Sequence, residues 1–567
     1  MLYGILQIIV ILVVLSLLAV PLGRYLVWIF EGERHLLPER MIYRLLGIRP
    51  DDEMGWKRYS LSLLSVCAAS MLLGYLVLRL QALLPLDTGH LPPQDPDQAF
   101  NTSSSFVTTT NWQSYAGEVS LSYLEQMLFV TFMQVFAPAT GLAAAAAVIR
   151  GLSRSGLAEL GNFWVDLTRI ILRLQLPLSF LLALVLVWQG VPQTLSPSVV
   201  AHTLQGGIQE IARGPVASLD AIKHLGNNGG GYFNANSAHP YEDPTPLTGA
   251  LQILAMLLIT ASVIHAFGRM LSRERQGVVF FAVFLVLLVG SVALIYSSEQ
   301  AGNPLLSKVG ADQTPTSTQS GGNMEGKEVR FGISQSSLFT AVTTGTQTGS
   351  VDNMHDSLTP LGGLGALINM QLNAVFGGEG VGFVSLLTYA ILAVFIVGLM
   401  VGRSPEFLGK KIDAREITLV VVSLLIYPAS ILGFTALAMV WPGSLNGLGN
   451  PGAHGFSEVL YAFTSGTENN GSAFAGLSAD TPFYNTTIGL AMLAGRYLPL
   501  VPLLAVAGSL AGKGTLPETK GTFSTATPLF GATLIGVILI IGGLTFFPSW
   551  ALGPLAEEFQ MLAGKTF

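Results

Sequence analysis

The chain has 567 residues, of which 50% are hydrophobic and 11% are charged. A soluble protein of this size carries roughly a quarter charged residues, so this composition excludes a soluble globular protein. The net charge of −6 excludes little, because the distribution of charge between loops matters more in a membrane protein. A single cysteine, Cys67, excludes an intrachain disulfide and a cysteine-based metal cluster.

Ten apolar runs are long enough to cross a bilayer core, which takes about 20 helical residues. The sequence therefore predicts an all-α polytopic membrane protein with spans at about 3–30, 61–84, 124–149, 166–189, 247–268, 278–297, 381–402, 417–441, 484–511 and 526–547. A further apolar stretch, 359–376, ends in a Gly-Gly-Glu-Gly run at 377–380. We predict a broken or partly re-entrant helix there, not an eleventh crossing.

Four short segments rich in Thr, Asn and Gly lie between apolar runs, at 107–113, 225–231, 343–349 and 464–471. Equivalent points in them recur at spacings of 116, 120 and 122 residues: Gln113, Gly229, Gly349 and Gly471. About ten weakly amphipathic residues before each segment predict a short pore helix, at 96–106, 215–225, 334–344 and 455–465. The third and fourth segments also match internally, because 341–346 parallels 462–467.

This pattern predicts four pseudo-symmetric membrane–pore–membrane repeats around one cation pore. The repeats are predicted at 61–150, 166–275, 278–402 and 417–512, with an extra span in each of 1–60 and 526–567. A cation filter must replace the ion's hydration shell with rings of backbone carbonyls and Thr hydroxyls. Glycine reaches the positive-φ conformations that such a backbone needs, and irregular backbone at membrane depth is tolerated where it lines a wet cavity.

Four unrelated polar loops are the alternative interpretation, since loops are commonly rich in Gly, Asn and Thr. The repeated spacing favours the filter. Lys and Arg are concentrated in the loops near 31–60, 150–165, 269–277, 403–416 and 512–525. Because cytoplasmic loops carry an excess of Lys and Arg, this bias predicts that both termini and all four polar segments lie on the outer, periplasmic side.

Five stretches of the chain resemble the potassium-binding subunit family (KdpA) of Kdp-type potassium-transporting ATPases: 111–115 (NWQSY), 228–240 (NGGGYFNANSAHP), 354–357 (MHDS), 402–411 (GRSPEFLGKK) and 470–477 (NGSAFAGL). The resemblance runs essentially end to end. It implies ten helices and four repeats in a bacterial plasma (inner) membrane protein, with K⁺ as the bound substrate loaded from outside. It also implies a P-type ATPase catalytic partner (KdpB-like), KdpC-like and small KdpF-like subunits, and an intramembrane tunnel to the pump subunit.

Carried over by position, the resemblance implies a potassium-binding filter made of Thr109, Thr110, Asn111, Gln113, Asn227, Asn228, Gly229, Gln347, Thr348, Gly349, Asn469, Asn470 and Gly471. One departure is Thr348, where the family often has Cys. A hydroxyl there can still line the pore, and we expect the K⁺ affinity to differ from that of family members with Cys.

Arg496 lies in the middle of the ninth predicted span. A charge inside a membrane is costly and commonly faces a cavity or a partner. We predict an electrostatic barrier or gate beneath the filter, supported by the matching position in KdpA-like sequences. The alternative is a structural ion pair.

No Asp-Lys-Thr-Gly phosphorylation motif and no large cytoplasmic domain occur in the sequence. The run 508–514 is a poor match to a phosphate-binding loop, because Gly514 replaces the required Ser or Thr. We therefore expect no hydrolytic activity, no ATP site, no organic cofactor and no nucleic-acid partner. The eight His residues show no metal-ligand spacing, which predicts no other metal site. The alternatives are a stand-alone K⁺ channel or symporter of the Trk/Ktr/HKT type and a scaffold protein with degenerate pore loops.

Overall fold

The computed structural model describes residues 2–86, 91–517 and 523–565. Residues 1, 87–90, 518–522 and 566–567, which fall within the predicted segments 1–60, 61–150, 512–525 and 526–567, lie outside the described residues. The described chain has ten helices long and apolar enough to cross a membrane: Tyr3–Glu31, Trp56–Arg79, Tyr123–Ser153, Phe163–Gln189, Pro246–Met270, Glu274–Lys308, Val381–Val401, Ala414–Val440, Pro482–Ala511 and Pro528–Leu562. The all-α, ten-helix prediction is confirmed, and below these are spans 1 to 10 in chain order.

Among the shorter helices between the spans, four each end at one of the four polar segments and are mostly buried. They are pore helices 1 to 4: Pro96–Val107, Val216–Leu225, Gly332–Gly345 and Gly452–Thr467. Each follows one span and precedes another, so the chain forms four span–pore helix–span units. Each pore helix matches a predicted one to within about three residues at either end.

The stretch predicted to be broken forms the helix Pro360–Leu372, which ends at Asn373 in the left-handed conformation (φ 43°). An irregular segment follows, and span 7 begins at Val381. Gly377 and Gly380 have φ values of 61° and 80°, a region that glycine occupies without the Cβ clash of other residues. The third unit therefore closes with an interrupted helix, as the sequence predicts.

Span 3 lies at the centre of the molecule. In its most apolar part 94% of the residues are buried, compared with 17% in span 1 at the periphery. Its small residues allow close helix packing, because a Cβ on Gly151 would lie 2.6 Å from the carbonyl oxygen of Ala507 in span 9. Small residues at helix contacts are typical of membrane bundles, where dispersion contacts replace the hydrophobic driving force.

Two short antiparallel hairpins occur in the connecting loops. One pairs Val199–His202 with Ile208–Ile211 between span 4 and pore helix 2. The other pairs Glu406–Phe407 with Lys410–Lys411 between spans 7 and 8. The all-α prediction does not include them, because each is only a few residues long and lies outside the periodic apolar runs.

Candidate functional site

Each pore helix is followed, two residues past its end, by a residue in the left-handed conformation. These four residues are Thr109, Asn227, Gln347 and Asn469, with φ values of 64°, 46°, 54° and 58°. Residues other than glycine seldom adopt positive φ, and Asn is among those that tolerate it best. The chain therefore reverses direction at the same point in all four units.

Three of these residues are also held by the same type of hydrogen bond. Their side-chain amides each donate to a backbone carbonyl of the helix that follows: Asn227 Nδ2 to Met256 O (2.7 Å), Gln347 Nε2 to Met370 O (3.2 Å) and Asn469 Nδ2 to Met492 O (3.0 Å). The Thr109 hydroxyl instead donates to the adjacent carbonyl of Thr108. Three of the four loops are thus fixed to their own closing helix.

Two residues further on, three loops have glycine in close contact with the neighbouring loop. A Cβ on Gly229 would overlap the carbonyl oxygen of Thr348. In the same way, a Cβ on Gly349 would overlap the carbonyl oxygen of Asn470, and a Cβ on Gly471 would overlap the carbonyl oxygen of Thr110. The second loop therefore packs on the third, the third on the fourth, and the fourth on the first. With the contact between the first and second loops described next, the four loops form a closed ring, called the filter ring below.

The fourth point of this ring is Asn111, which has φ 56°. Its Nδ2 donates to Asn228 Oδ1 at 3.1 Å, so the first loop contacts the second. The equivalence of Gln113 with Gly229 is therefore corrected: Asn111 is the matching residue, and the first spacing is 118 residues instead of 116. Polar residues on both sides of Trp112 hide this two-residue shift in the sequence.

Gln113 lies beyond the ring. Its Nε2 donates to the carbonyl oxygen of Gly231 at 3.3 Å and to the Tyr115 hydroxyl at 3.4 Å. It lines a cavity of about 900 Å³, called the vestibule below, together with residues of all four loops, including Asn111, Gly229, Gly349 and Gly471. The vestibule gives the filter ring a wide entrance on one side.

Further hydrogen bonds join neighbouring loops. Asn227 Nδ2 donates to Thr348 Oγ1 and Asn469 Nδ2 to Thr110 Oγ1, each at 3.0 Å. Asn470 Nδ2 donates to the carbonyl oxygen of Thr343 in pore helix 3 at 2.9 Å. The hydroxyl of Thr348 thus accepts a hydrogen bond that holds the second loop against the third.

The electrostatics of the ring favour a cation. All four pore helices end at the loops, and a helix C-terminus carries roughly half a negative charge from the aligned peptide dipoles. Thr110, Asn228, Thr348 and Asn470 are each fully buried. Buried carbonyl and hydroxyl oxygens at the ends of four helix dipoles can replace the hydration shell of a monovalent cation.

Two polar side chains that the sequence analysis does not identify donate hydrogen bonds to backbone carbonyls of the second loop. Asn236 Nδ2 donates to the carbonyl oxygen of Gly229 at 2.6 Å, and Gln134 Nε2 donates to that of Gly230 at 2.8 Å. Gln134 is a fully buried amide in span 3. A polar residue inside an apolar span is itself a signal of function, and Asn236 lies within the stretch 228–240 that carries the family resemblance.

Arg496 is buried in span 9, beside the end of pore helix 4. A Cβ on the preceding Gly495 would overlap the carbonyl oxygen of Thr467, the last residue of that helix. A Cβ on Gly141 would lie 2.8 Å from Arg496 Nη2 and 2.7 Å from the carbonyl oxygen of Glu379. Arg496 therefore meets span 3 and the interrupted helix at one point, and its Nη2 has no hydrogen-bond partner among the described residues.

The fold and the ring define a multi-pass membrane protein with a single pore formed by four loops of one chain. Residues 9–559 match the family described as the potassium-transporting ATPase A subunit. The chain belongs to this family.

Two curated relatives extend over nearly the whole length. The potassium-transporting ATPase potassium-binding subunit of Delftia acidovorans is 59% identical over 98% of both chains. That of Rhodospirillum centenum is 52% identical over 100% of this chain and 99% of the relative. Among solved structures, the potassium transporter TrkH from Vibrio parahaemolyticus has a TM-score of 0.48 at 16% identity, over 76% of this chain and 84% of the TrkH chain.

Proposed function

We propose that the filter ring binds K⁺ and that the chain is the potassium-binding, non-hydrolytic subunit of an ATP-driven potassium uptake complex. Family membership and the names of the relatives support this assignment. The observation that carries the ion site is the closed contact of four loops at the C-terminal ends of four pore helices. The residues that we assign to the site are Thr109, Thr110, Asn111, Asn227, Asn228, Gly229, Gln347, Thr348, Gly349, Asn469, Asn470 and Gly471, with Gln113 in the vestibule.

The vestibule is assigned to the outer side of a bacterial plasma membrane. The excess of Lys and Arg in alternate loops supports this orientation, which also leaves both termini outside. An entrance on that side presents K⁺ to the ring from the external medium. Arg496, beneath the ring, then supplies a fixed positive charge that acts as a barrier or gate against ions leaving the ring.

The energy for uptake is assigned to partner subunits. A P-type ATPase catalytic subunit (KdpB-like), a KdpC-like subunit and a small KdpF-like subunit complete the complex that we propose. The family description, which names one subunit of a transporting ATPase, supports a multi-subunit assembly. K⁺ would pass from the ring to the catalytic subunit within the membrane.

The test is K⁺-stimulated ATP hydrolysis by the mildly purified complex carrying Gly229→Asp. We expect K⁺ stimulation to be lost, because any Cβ at Gly229 overlaps the carbonyl oxygen of Thr348. The matched control is Gly514→Asp, at an exposed glycine with nothing within 4 Å of its added Cβ. Co-elution of the ATPase subunit establishes that each variant assembles.

Full K⁺ stimulation of an assembled Gly229→Asp complex would contradict the proposal and favour a scaffold protein. K⁺ conduction by the chain alone, reconstituted in liposomes without a pump subunit, would favour a stand-alone channel. Loss of K⁺ stimulation in both Gly229→Asp and Gly514→Asp would show that a Gly→Asp substitution destabilises the complex in general. The result for Gly229→Asp would then no longer support K⁺ binding in the filter ring.

A further inference from the structure

A cluster of ionisable side chains lies at the start of pore helix 4, outside the filter ring. Within the described residues the fold brings together Asp356, His454 and Glu458, with one ligand atom of each within 4.8 Å of the other two. Asp356 belongs to the loop after the third filter segment, whereas His454 and Glu458 lie one turn apart in pore helix 4. Because about 100 residues separate Asp356 from the other two, their spacing in the sequence gives no metal signature.

The three side chains converge on one point. His454 Nε2 lies 2.9 Å from Asp356 Oδ1. A Cβ on Gly476 would overlap Glu458 Oε1 and lie 3.0 Å from Asp356 Oδ2, so the two carboxylates meet above a residue with no side chain. Zn²⁺ binds imidazole nitrogen and carboxylate oxygen at about 2.0 to 2.2 Å. The three ligand atoms already lie within 4.8 Å of one another, close to the separation that one shared ion requires.

A second layer of contacts orients the ligands. His454 Nδ1 is bonded to Glu557 Oε1 at 2.8 Å, which directs Nε2 toward Asp356. Glu458 Oε1 accepts from Asn450 Nδ2 at 2.9 Å, and Glu458 Oε2 accepts from the backbone N–H of Gly449 at 3.0 Å. A carboxylate on the far nitrogen of a ligating histidine is the usual outer-shell partner of metal-bound imidazole.

Charge gives an independent reason for a cation here. Three carboxylates, those of Asp356, Glu458 and Glu557, face one imidazole. Glu458 is fully buried and His454 is 7% exposed, so water screens this negative charge poorly, and it exceeds the single positive charge of a protonated imidazole. A metal at Nε2 displaces the proton that this nitrogen shares with Asp356 and releases it to solvent. A divalent cation would neutralise the negative charge, and one nitrogen with two carboxylate oxygens is a donor set that suits zinc with one position left open.

We propose that Asp356, His454 and Glu458 form a binding site for a divalent transition-metal ion of the Zn²⁺ class, beside the vestibule. The site connects to the filter ring through a chain of hydrogen bonds. His355, next to Asp356, is bonded through Nδ1 to the Tyr461 hydroxyl at 2.8 Å, and that hydroxyl to Ser472 Oγ at 2.8 Å. Ser472 in turn bonds to the side-chain oxygen of Asn470. A metal here would hold the third and fourth walls of the ring together.

The experiment is calorimetric titration of the purified complex with Zn²⁺ in a non-chelating buffer. We expect one Zn²⁺ per complex, and at least about tenfold weaker binding in His454→Gln, which loses a ligand. Glu557→Gln, which removes only the outer-shell carboxylate, is expected to weaken binding about 10- to 100-fold. The matched control is His202→Gln, at an exposed histidine of the first hairpin, which is expected to bind Zn²⁺ like the unaltered complex.

A melting-temperature series provides a second measurement, because a metal that binds only the folded state raises its stability. Zn²⁺ is expected to raise the melting temperature of the unaltered complex and of His202→Gln, and to raise that of His454→Gln less at the same Zn²⁺ concentration. The site would be overturned if the unaltered complex bound no Zn²⁺, or if His454→Gln and Glu557→Gln bound it as tightly as the unaltered complex. Neither readout depends on K⁺ stimulation, so this proposal and the proposed function fail separately.

Discussion

Asn111 is the residue at which the filter ring departs most from fourfold symmetry. The other three loops have glycine at this point, and each glycine packs on a carbonyl of the next loop. Asn111 adopts the same left-handed region with a side chain present, and its amide contacts Asn228 and Gln134. At this point the first loop is therefore held by side-chain hydrogen bonds, whereas the other three loops are held by contact of their glycine with a backbone carbonyl.

Asn111→Gly tests the corrected alignment of the first loop. A net hydrogen bond is worth about 1 kcal/mol, so losing the bonds of Asn111 should raise the K⁺ concentration for half-maximal ATP hydrolysis about tenfold, equivalent to about 1.4 kcal/mol. Gln113→Gly is the control, and its effect should be smaller because Gln113 lies in the vestibule. A larger effect of Gln113→Gly would favour the equivalence of Gln113 with Gly229.

Arg496→Ala tests the fixed charge beneath the ring. Removing it should change the number of K⁺ ions transported per ATP hydrolysed, because the barrier to ions beneath the ring would be lost. Proteoliposomes containing the complex allow K⁺ uptake and ATP hydrolysis to be measured together. Arg24→Ala, at an exposed arginine of span 1, is the control. An unchanged ratio in a fully assembled complex would contradict a role for Arg496 as barrier or gate.

At the scale of elements, the sequence predicts the helices far better than the loops between them. The ten spans follow directly from long apolar runs, and even the interrupted helix before span 7 is indicated by its Gly-Gly-Glu-Gly run. These features depend on local composition, so a window of about 20 residues contains the information.

The loops are set by contacts between distant parts of the chain. The side-chain amides of Asn227, Gln347 and Asn469 bond to helices 23 to 29 residues later, and nothing local distinguishes them from ordinary loop amides. The same limit explains why spacing alone pairs Gln113 with Gly229, since it cannot detect a two-residue shift. Asp356 and His454 are further apart still, and only the folded chain brings them together.

At the scale of the whole molecule, His454 joins three elements: pore helix 4, the loop after the third filter segment, and span 10. Burial alone would lower the pKa of His454, but its hydrogen bonds to Asp356 and Glu557 outweigh burial and raise the pKa from 6.5 to about 10. A pKa raised on folding stabilises the folded state below the unfolded value, and this stabilisation is lost as the pH rises through the folded value.

His454→Gln is therefore expected to lower the melting temperature of the complex at pH 7 and to have a progressively smaller effect as the pH approaches about 10. The measurement is thermal unfolding of the complex in the presence of a chelator, compared at each pH with the unaltered complex. His202→Gln serves as the control and should show no such dependence. A melting-temperature difference between His454→Gln and the unaltered complex that stays constant over this pH range would contradict a stabilising role for protonated His454 between Asp356 and Glu557.

The closed contact of four loops within one polypeptide has a genetic consequence. In a homotetrameric channel every codon change is copied into all four subunits, so the walls of the pore cannot vary separately. In this chain one codon alters one wall, and selection can tune Asn111, Gly229, Gly349 and Gly471 independently. The pore can therefore evolve unequal sides, with selectivity adjusted at one wall while another adapts to a neighbouring protein.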